Sequence, residues 1–188
     1  MGEIKSTLEI ALEKARSIKI SSEDRRRFKG EEARSKAREI FQDYIDHRAR
    51  SADLGALIEK SGQEPSLLRH HLVEVFLDSL DPARESERIW EGLGELGLKE
   101  TSPFREALAR IGEDEETARR EEAQRLEKRL SEALAEAGIS GTAVEPNVEG
   151  TSEWKEILHS VEKRRSKALQ RLRREVSQAI EGDSSFPR

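Results

Sequence analysis

Cysteine is absent from this chain of 188 residues, and aromatic residues are scarce, with five Phe, two Trp and one Tyr. The lack of cysteine excludes disulfide bonds, cysteine-ligated zinc sites and thiol catalysis. Hydrophobic residues make up 34% of the sequence and charged residues 39%, so little apolar surface is available for burial. We therefore expect narrow apolar seams between long helices rather than a thick globular core.

A long uncharged apolar run is also missing. The opening MGEIKSTLEIALEKARSIKI alternates charged with single apolar residues, unlike a signal peptide or a membrane span. The net charge of −5 and the pI near 5.6 argue against a surface built throughout for nucleic acid or anionic membranes. A local basic patch is still allowed. We therefore predict a cytoplasmic protein without membrane partners.

Residues 1–50 are predicted to form an N-terminal amphipathic helix followed by a long helix. Apolar residues at alternating steps of four and three give a candidate helix-association seam: Ile4, Leu8, Ala11, Ala15 and Ile18. The segment from Ser21 to Asp24 ends this helix and supplies the N-cap of the next one, which we extend to about His47. Its inward face is predicted to hold Phe28, Ala33, Ala37, Ile40, Phe41, Tyr44 and Ile45.

Residues 53–111 are predicted to form a core of short helices, because most of the large apolar residues fall there. Pro65 suits the first turn of one helix, and Asp81-Pro82 and Ser102-Pro103 open two more. Gly112 is predicted to end the last of them.

Residues 113–181 are predicted to form a helix, a loop and a second helix, consistent with an antiparallel coiled coil, and residues 182–188 a disordered tail. The first helix repeats apolar residues in the three-four pattern: Ala123, Leu126, Leu130, Ala133 and Ala137. Gly138 begins an irregular loop near residues 138–151, and Thr151 or Ser152 caps the final helix. One face of that helix is apolar: Trp154, Leu158, Val161, Ala168, Leu172, Val176 and Ala179. The predicted fold is thus an all-α, elongated helical bundle with long coiled-coil-like helices and one irregular loop.

A row of cations lies opposite the apolar face of the final helix at about 100° per residue. Its members, the candidate contacts for a partner or for nucleic acid, are Lys163, Arg164, Lys167, Arg171 and Arg174. Three interpretations stay open. With Arg165 close to the seam, the row could meet an acidic helix such as the one beginning GEDEETARREE, grip phosphates, or stay solvated.

Three His–carboxylate patterns invite a catalytic or metal interpretation, and each is weak. His71 and Glu74 lie one helical turn apart without a second pair nearby in sequence. Glu156 and His159 match one half of a di-metal motif that needs two copies and further carboxylates. Asp43 and His47 are more typical of a surface contact than of an acid–base couple. No phosphate loop, nucleophile elbow or dinucleotide fingerprint occurs. We predict no enzyme, no catalytic, cofactor-binding or metal residues, and no cofactor.

Two stretches carry a family resemblance: Met1 to Leu8 (MGEIKSTL) and Ile139 to Asn147 (ISGTAVEPN). Both resemble an uncharacterised bacterial family of small, charged helical proteins. The resemblance implies a bacterial source, and the family carries no activity that could be transferred to this chain. The small and apolar residues of the second stretch suggest that this loop is held against the core or against a partner.

The sequence favours a non-enzymatic helical interaction protein, such as an adaptor, an assembly factor or a chaperone-like scaffold. Its mechanism would be helix–helix association with a protein partner or with a second copy of itself. The alternative is a ribosome- or nucleic-acid-associated factor that uses the basic face of the C-terminal helix.

Overall fold

The computed structural model describes residues 21–84, 87–139, 141 and 145–182, and all regular secondary structure in these ranges is helical. The α-helices are α1 (Ser22–Ile45), α2 (Leu54–Lys60), α3 (Pro65–Asp78), α4 (Glu87–Glu95), α5 (Ser102–Glu136) and α6 (Ser152–Glu181). Short 3₁₀ turns at Ser51–Asp53 and Pro82–Arg84 precede α2 and α4. The predicted all-α class is confirmed. The predicted seam from Ile4 to Ile18 and nearly all of the predicted tail lie outside the described residues.

Hydrogen bonds within the first turn explain where two of the long helices begin. Ser21 Oγ accepts a hydrogen bond from the Asp24 backbone N–H at 3.0 Å, and Thr151 Oγ1 accepts one from Trp154 N–H at 3.1 Å. Each cap satisfies an amide that the helix itself leaves without an acceptor. Pro65 occupies the first turn of α3, where its missing N–H costs nothing. These three predicted helix starts are confirmed.

The prediction that Gly112 ends a helix is wrong, because α5 continues without a break from Ser102 to Glu136. A Cβ atom at position 112 would lie 3.1 Å from Cβ of Pro82. The glycine therefore lets the Pro82–Arg84 turn approach the helix closely. The predicted boundary between residues 111 and 113 falls inside α5.

The hydrophobic core draws side chains from all six helices and so extends beyond residues 53–111. At its centre, the Phe76 ring meets the Phe41 ring edge-on at 4.9 Å and lies 5.5 Å from the Tyr44 ring, measured between centroids. Four residues predicted to lie on apolar faces or seams are exposed instead: Phe28, Ala133, Ala137 and Ala179. Phe28 is 48% exposed, because the core reaches only the later turns of α1, and Ala179 is exposed beside the buried Ile180.

Helices α5 and α6 pack antiparallel along most of their lengths. Arg129 pairs with Glu153 at 2.6 Å near the connecting loop, and Glu115 pairs with Arg165 at 3.1 Å farther along. Between Glu113 and Glu136, α5 buries one side chain, that of Leu126. The seam is therefore narrow, and most of the distal half of α5 faces solvent.

The connection between α5 and α6 is non-helical in its described part, residues 139, 141 and 145–151. Gly138 has φ +78°, a conformation that favours glycine and ends the helix. Asn147 Oδ1 accepts a hydrogen bond from Gly150 N–H at 3.0 Å, which shapes the turn before α6. Val144, one of the apolar residues in the predicted family resemblance, lies outside the described residues.

None of the helices in the described parts of the chain has both the length and the apolar character needed to cross a membrane.

Candidate interaction surface

The five cations predicted to share one side of the final helix are all exposed on α6. We call this set the basic face: Lys163, Arg164, Lys167, Arg171 and Arg174. The opposite side of α6 is anchored by the buried Val161, Leu172 and Val176. Burial of this apolar side fixes the rotation of α6, and the basic face is held towards solvent as a consequence.

Most of the basic face has no acidic partner among the residues that the structure describes. Lys163, Lys167 and Arg171 form no ion pair with any carboxylate in residues 21–84, 87–139, 141 and 145–182. Arg174 donates from Nε to the carbonyl of Gln170 at 3.2 Å, on its own helix. Arg164 differs, because it lines a cavity of about 400 Å³ between α5 and α6. The acidic Asp114 and Glu121 line the same cavity, and their negative charges offset the positive charge of Arg164.

Arg165, the neighbour of the basic face, is turned inward and is 21% exposed. Its guanidinium lies 2.7 Å from Asp81 Oδ1, 3.1 Å from Glu115 Oε2 and 3.2 Å from Glu162 Oε2. Burial by itself lowers the pKa of Arg165, but the three carboxylates outweigh it and raise the pKa above its ordinary value.

Glu115 has two candidate basic partners, one on its own helix and one on α6. The sequence places Glu115 four residues before Arg119, an arrangement that favours an ion pair along α5. Glu115 instead pairs across the helices with Arg165, whereas Glu116–Arg120 and Glu121–Arg125 form along α5 at 2.8 Å and 3.4 Å. The acidic GEDEE segment therefore meets Arg165 through Glu115 and forms no ion pair with the basic face among the described residues.

Arg174 links the basic face to a groove of about 490 Å³ between α1, α3 and α6. Charged side chains line much of this groove: Arg34, Arg38, Glu74, Asp78, Arg173 and Arg174. Sequence reasoning missed the groove, because α1 and α6 lie far apart in the chain. The available local signal was the spacing of Arg34 and Arg38, which places both on one side of α1.

The His71–Glu74 pair is a hydrogen-bonded couple, with 2.8 Å between His71 Nδ1 and Glu74 Oε2. His70 Nε2 lies 3.5 Å from the other oxygen of Glu74, and Arg34 Nη2 lies 3.6 Å from Oε2. Partial burial acts to raise the pKa of Glu74, but the His71 hydrogen bond and the nearby positive charges lower it overall. In the described part of the chain, no three His or carboxylate side chains are grouped as metal binding requires.

The other two His–carboxylate patterns are not brought together as sites. His47 lies beyond the end of α1 with φ +60°, and its Nδ1 is 2.9 Å from Arg88 Nη1. Asp43 instead pairs with Arg48 at 3.3 Å. Glu156 and His159 are both exposed on α6.

Comparisons with protein-family models, with curated proteins and with solved structures found no match. The case for a function therefore comes from the geometry of these surfaces alone.

Proposed function

We propose that this protein is a non-enzymatic helical interaction protein of the bacterial cytoplasm, an adaptor, assembly factor or chaperone-like scaffold that acts by helix–helix association. The observation that supports it is the basic face of α6. Its cations are exposed, and three of them, Lys163, Lys167 and Arg171, lack an acidic partner among the described residues. The rigid apolar anchorage of α6 presents these charges as an ordered row rather than as mobile side chains of a loop.

The partner we propose is an acidic amphipathic helix. Cations at steps of three and four residues follow one side of α6, and carboxylates at the same steps would follow one side of a partner helix. A second copy of this chain is one source of acidic groups, because α5 carries exposed acidic residues without ion pairs to described residues: Glu113, Glu127 and Glu136. In this proposal, the α5–α6 pair is an elongated, coiled-coil-like element, and the seam from Ile4 to Ile18 adds a second helix for association.

Nucleic acid is the second candidate, because exposed cations also bind phosphates. The basic face favours a protein partner in one respect. Proteins that hold single strands interleave cations with aromatic side chains that stack on bases. Residues 163–174 contain no aromatic residue. A ribosome- or RNA-associated role would therefore rest on backbone contacts alone.

The test is the triple charge reversal K163E/K167E/R171E, which leaves the buried side of α6 unchanged. A matched control is R25E/R26E/K29E, which makes the same change of charge at exposed positions of α1. We expect the α6 variant to lose association with itself or with a co-purifying protein, as measured by sedimentation and by pull-down of tagged protein. The control should keep both. Equal association of both variants with the partner would contradict the proposal.

The homopolymer poly(U) distinguishes the second candidate. If the basic face binds RNA, the wild type should bind poly(U) with a log–log salt slope of roughly −2 to −4, as expected for about five phosphate contacts on a single strand. If poly(U) binding of this kind is lost in K163E/K167E/R171E and kept in the control, the partner of the basic face is nucleic acid and not a protein helix.

A further inference from the structure

We infer that the groove between α1, α3 and α6 is a binding site for a small phosphate-bearing anion. We call it the arginine groove and define it by Arg34, Arg38, Arg173 and Arg174, with Glu74 and Asp78 among the other lining residues. This inference goes beyond the proposed function, because the groove is a concave site separate from the exposed row on α6. Only Arg174 borders both.

The charge of the groove matches that of a phosphate monoester. Four guanidinium groups and two carboxylates line it, which leaves an excess of two positive charges. A phosphate monoester carries roughly −1.5 to −2 at neutral pH and presents three strong acceptor oxygens. Binding such a group would neutralise the excess positive charge of the groove. It would leave neither of the two lining carboxylates without a positive partner.

Two of the arginines, one on α6 and one on α1, are paired with residues of α3. Arg173 Nη1 lies 3.3 Å from Asp78 Oδ1, and its Nη2 donates to the Asp78 backbone carbonyl at 2.9 Å. This carbonyl belongs to the last residue of α3, where a cation is favourable. Arg34 is held less closely, with Nη2 at 3.6 Å from Glu74 Oε2.

The other two arginines keep donors available for a ligand. Arg38 makes no hydrogen bond or ion pair with a side chain in the described parts of the sequence. Arg174 uses Nε for the Gln170 carbonyl, so its terminal Nη1 and Nη2 groups have no acceptor there. A guanidinium group binds two oxygens of one phosphate at once, and this geometry selects phosphate over a point anion such as chloride. Ser177 also lines the groove on the α6 side, but its hydroxyl group donates to Glu181 Oε1 at 3.2 Å.

The residues that would recognise the anion come from both ends of the fold. Arg38 lies on α1 and Arg174 on α6, and each helix is anchored in the common core, through Ile40 and Val176 for example. Tertiary packing thus fixes the spacing of the two helix backbones that carry these side chains before any ligand binds. Such preorganisation lowers the entropy cost of binding.

The test is a thermal melt with inorganic phosphate, compared with chloride at matched ionic strength, on wild type and on R34Q/R38Q. The matched control is R25Q/R26Q, which removes the same charge from exposed positions of α1 outside the groove. We expect phosphate to raise the melting temperature of wild type and control more than chloride does. In R34Q/R38Q, phosphate affinity should fall by about tenfold or more, as for the loss of charge-assisted hydrogen bonds.

Each melting temperature is compared with that of the same variant without phosphate. A lower intrinsic stability of R34Q/R38Q therefore does not affect the measured shift. The single variant R38Q is a second check, because the Arg38 side chain has no partner among described residues to lose. A melt with phosphoserine, used as the free amino acid, shows whether the groove prefers a phosphate monoester or inorganic phosphate. Tighter binding of either ligand supports the site.

Equal responses of wild type to phosphate and chloride, or equal phosphate responses of R34Q/R38Q and R25Q/R26Q, would overturn the inference. Loss of poly(U) binding in R34Q/R38Q without any phosphate response in wild type would also overturn it, since the groove would then be part of a nucleic-acid surface. R34Q/R38Q leaves all five residues of the basic face in place. K163E/K167E/R171E leaves the arginine groove in place, so the two proposals can fail independently.

Discussion

The Tyr44 hydroxyl donates a hydrogen bond to the backbone carbonyl of Arg88 at 2.7 Å, and the Arg88 guanidinium donates back to the backbone carbonyl of Tyr44. The same guanidinium lies 4.4 Å from the centroid of the Tyr44 ring and donates to the Ala49 carbonyl at 3.1 Å. Each residue therefore serves as side-chain donor and backbone acceptor for the other. The pair fastens the end of α1 to the start of α4.

Replacing Tyr44 by Phe keeps the ring and removes the hydrogen bond to Arg88. Tyr44 is fully buried, so the carbonyl of Arg88 has no ready replacement from solvent. We expect Y44F to lower the free energy of unfolding by about 1 to 2 kcal/mol, measured by urea denaturation. An unchanged midpoint would show that this hydrogen bond adds nothing to stability.

Alkaline pH should weaken the same contact. Burial raises the pKa of Tyr44, and Glu91 and Glu95 add to this effect, while the charge of Arg88 opposes it. Because the folded pKa lies above the ordinary value of 10.0, the contribution to stability is complete below pH 10.0 and is lost as pH rises through the folded pKa. Tyr44 is the single tyrosine of the chain, so tyrosinate absorbance reports on it alone. Unfolding with urea should shift this titration to lower pH.

Gly92 and Gly94 lie in the same helix and should respond oppositely to alanine. A Cβ atom at position 92 would lie 2.2 Å from Cε1 of the buried Phe76, whereas nothing lies within 4 Å at position 94. We expect G92A to lower the unfolding free energy by about 1 to 3 kcal/mol through overpacking. G94A should leave it unchanged or raise it by up to about 1 kcal/mol, because alanine is the better helix former. Similar thermal melts for the two variants would contradict the close approach of α3 and α4.

Arg165 and Arg164 are adjacent and allow a matched test of the contact between α5 and α6. R165Q removes a cation shared by Asp81, Glu115 and Glu162, and it leaves the first two partly buried without a counter-charge. We expect a loss of about 1 to 3 kcal/mol, measured by thermal or urea unfolding. R164Q, at an exposed position, should stay within about 0.5 kcal/mol of wild type. Equal effects of the two substitutions would show that the inward contacts of Arg165 are not stabilising.

The N-terminal seam makes a separate prediction. If Ile4, Leu8 and Ile18 pack against another helix, L8D should cost on the order of 2 to 4 kcal/mol through lost packing and a buried charge. We expect this loss in thermal melts, together with dissociation if the other helix belongs to a second copy. A melt unchanged by L8D would instead mark the segment as one that is free until it meets a partner.

The sequence by itself determined the all-α class and several helix ends. A cap such as Thr151 acts on an amide three residues away, so the residues that decide it are read directly from the chain. The side of α6 that carries Lys163, Lys167 and Arg171 was predictable for the same reason. It depends on the 100° period of one helix and on the burial of its apolar residues.

Tertiary structure decided what lies opposite each side chain. Glycine is a poor helix former, which makes Gly112 a sensible predicted end, yet α5 passes through it, and Pro82 packs where a side chain would stand. Glu115 pairs with Arg165 on α6 and not with Arg119 on its own helix. Arg38 lines the same groove as Arg174, which lies more than a hundred residues away in the chain. Local periodicity fixes the direction of a side chain around its own helix axis. The distance and register between two helices depend on the packing of the whole core, which no single segment encodes.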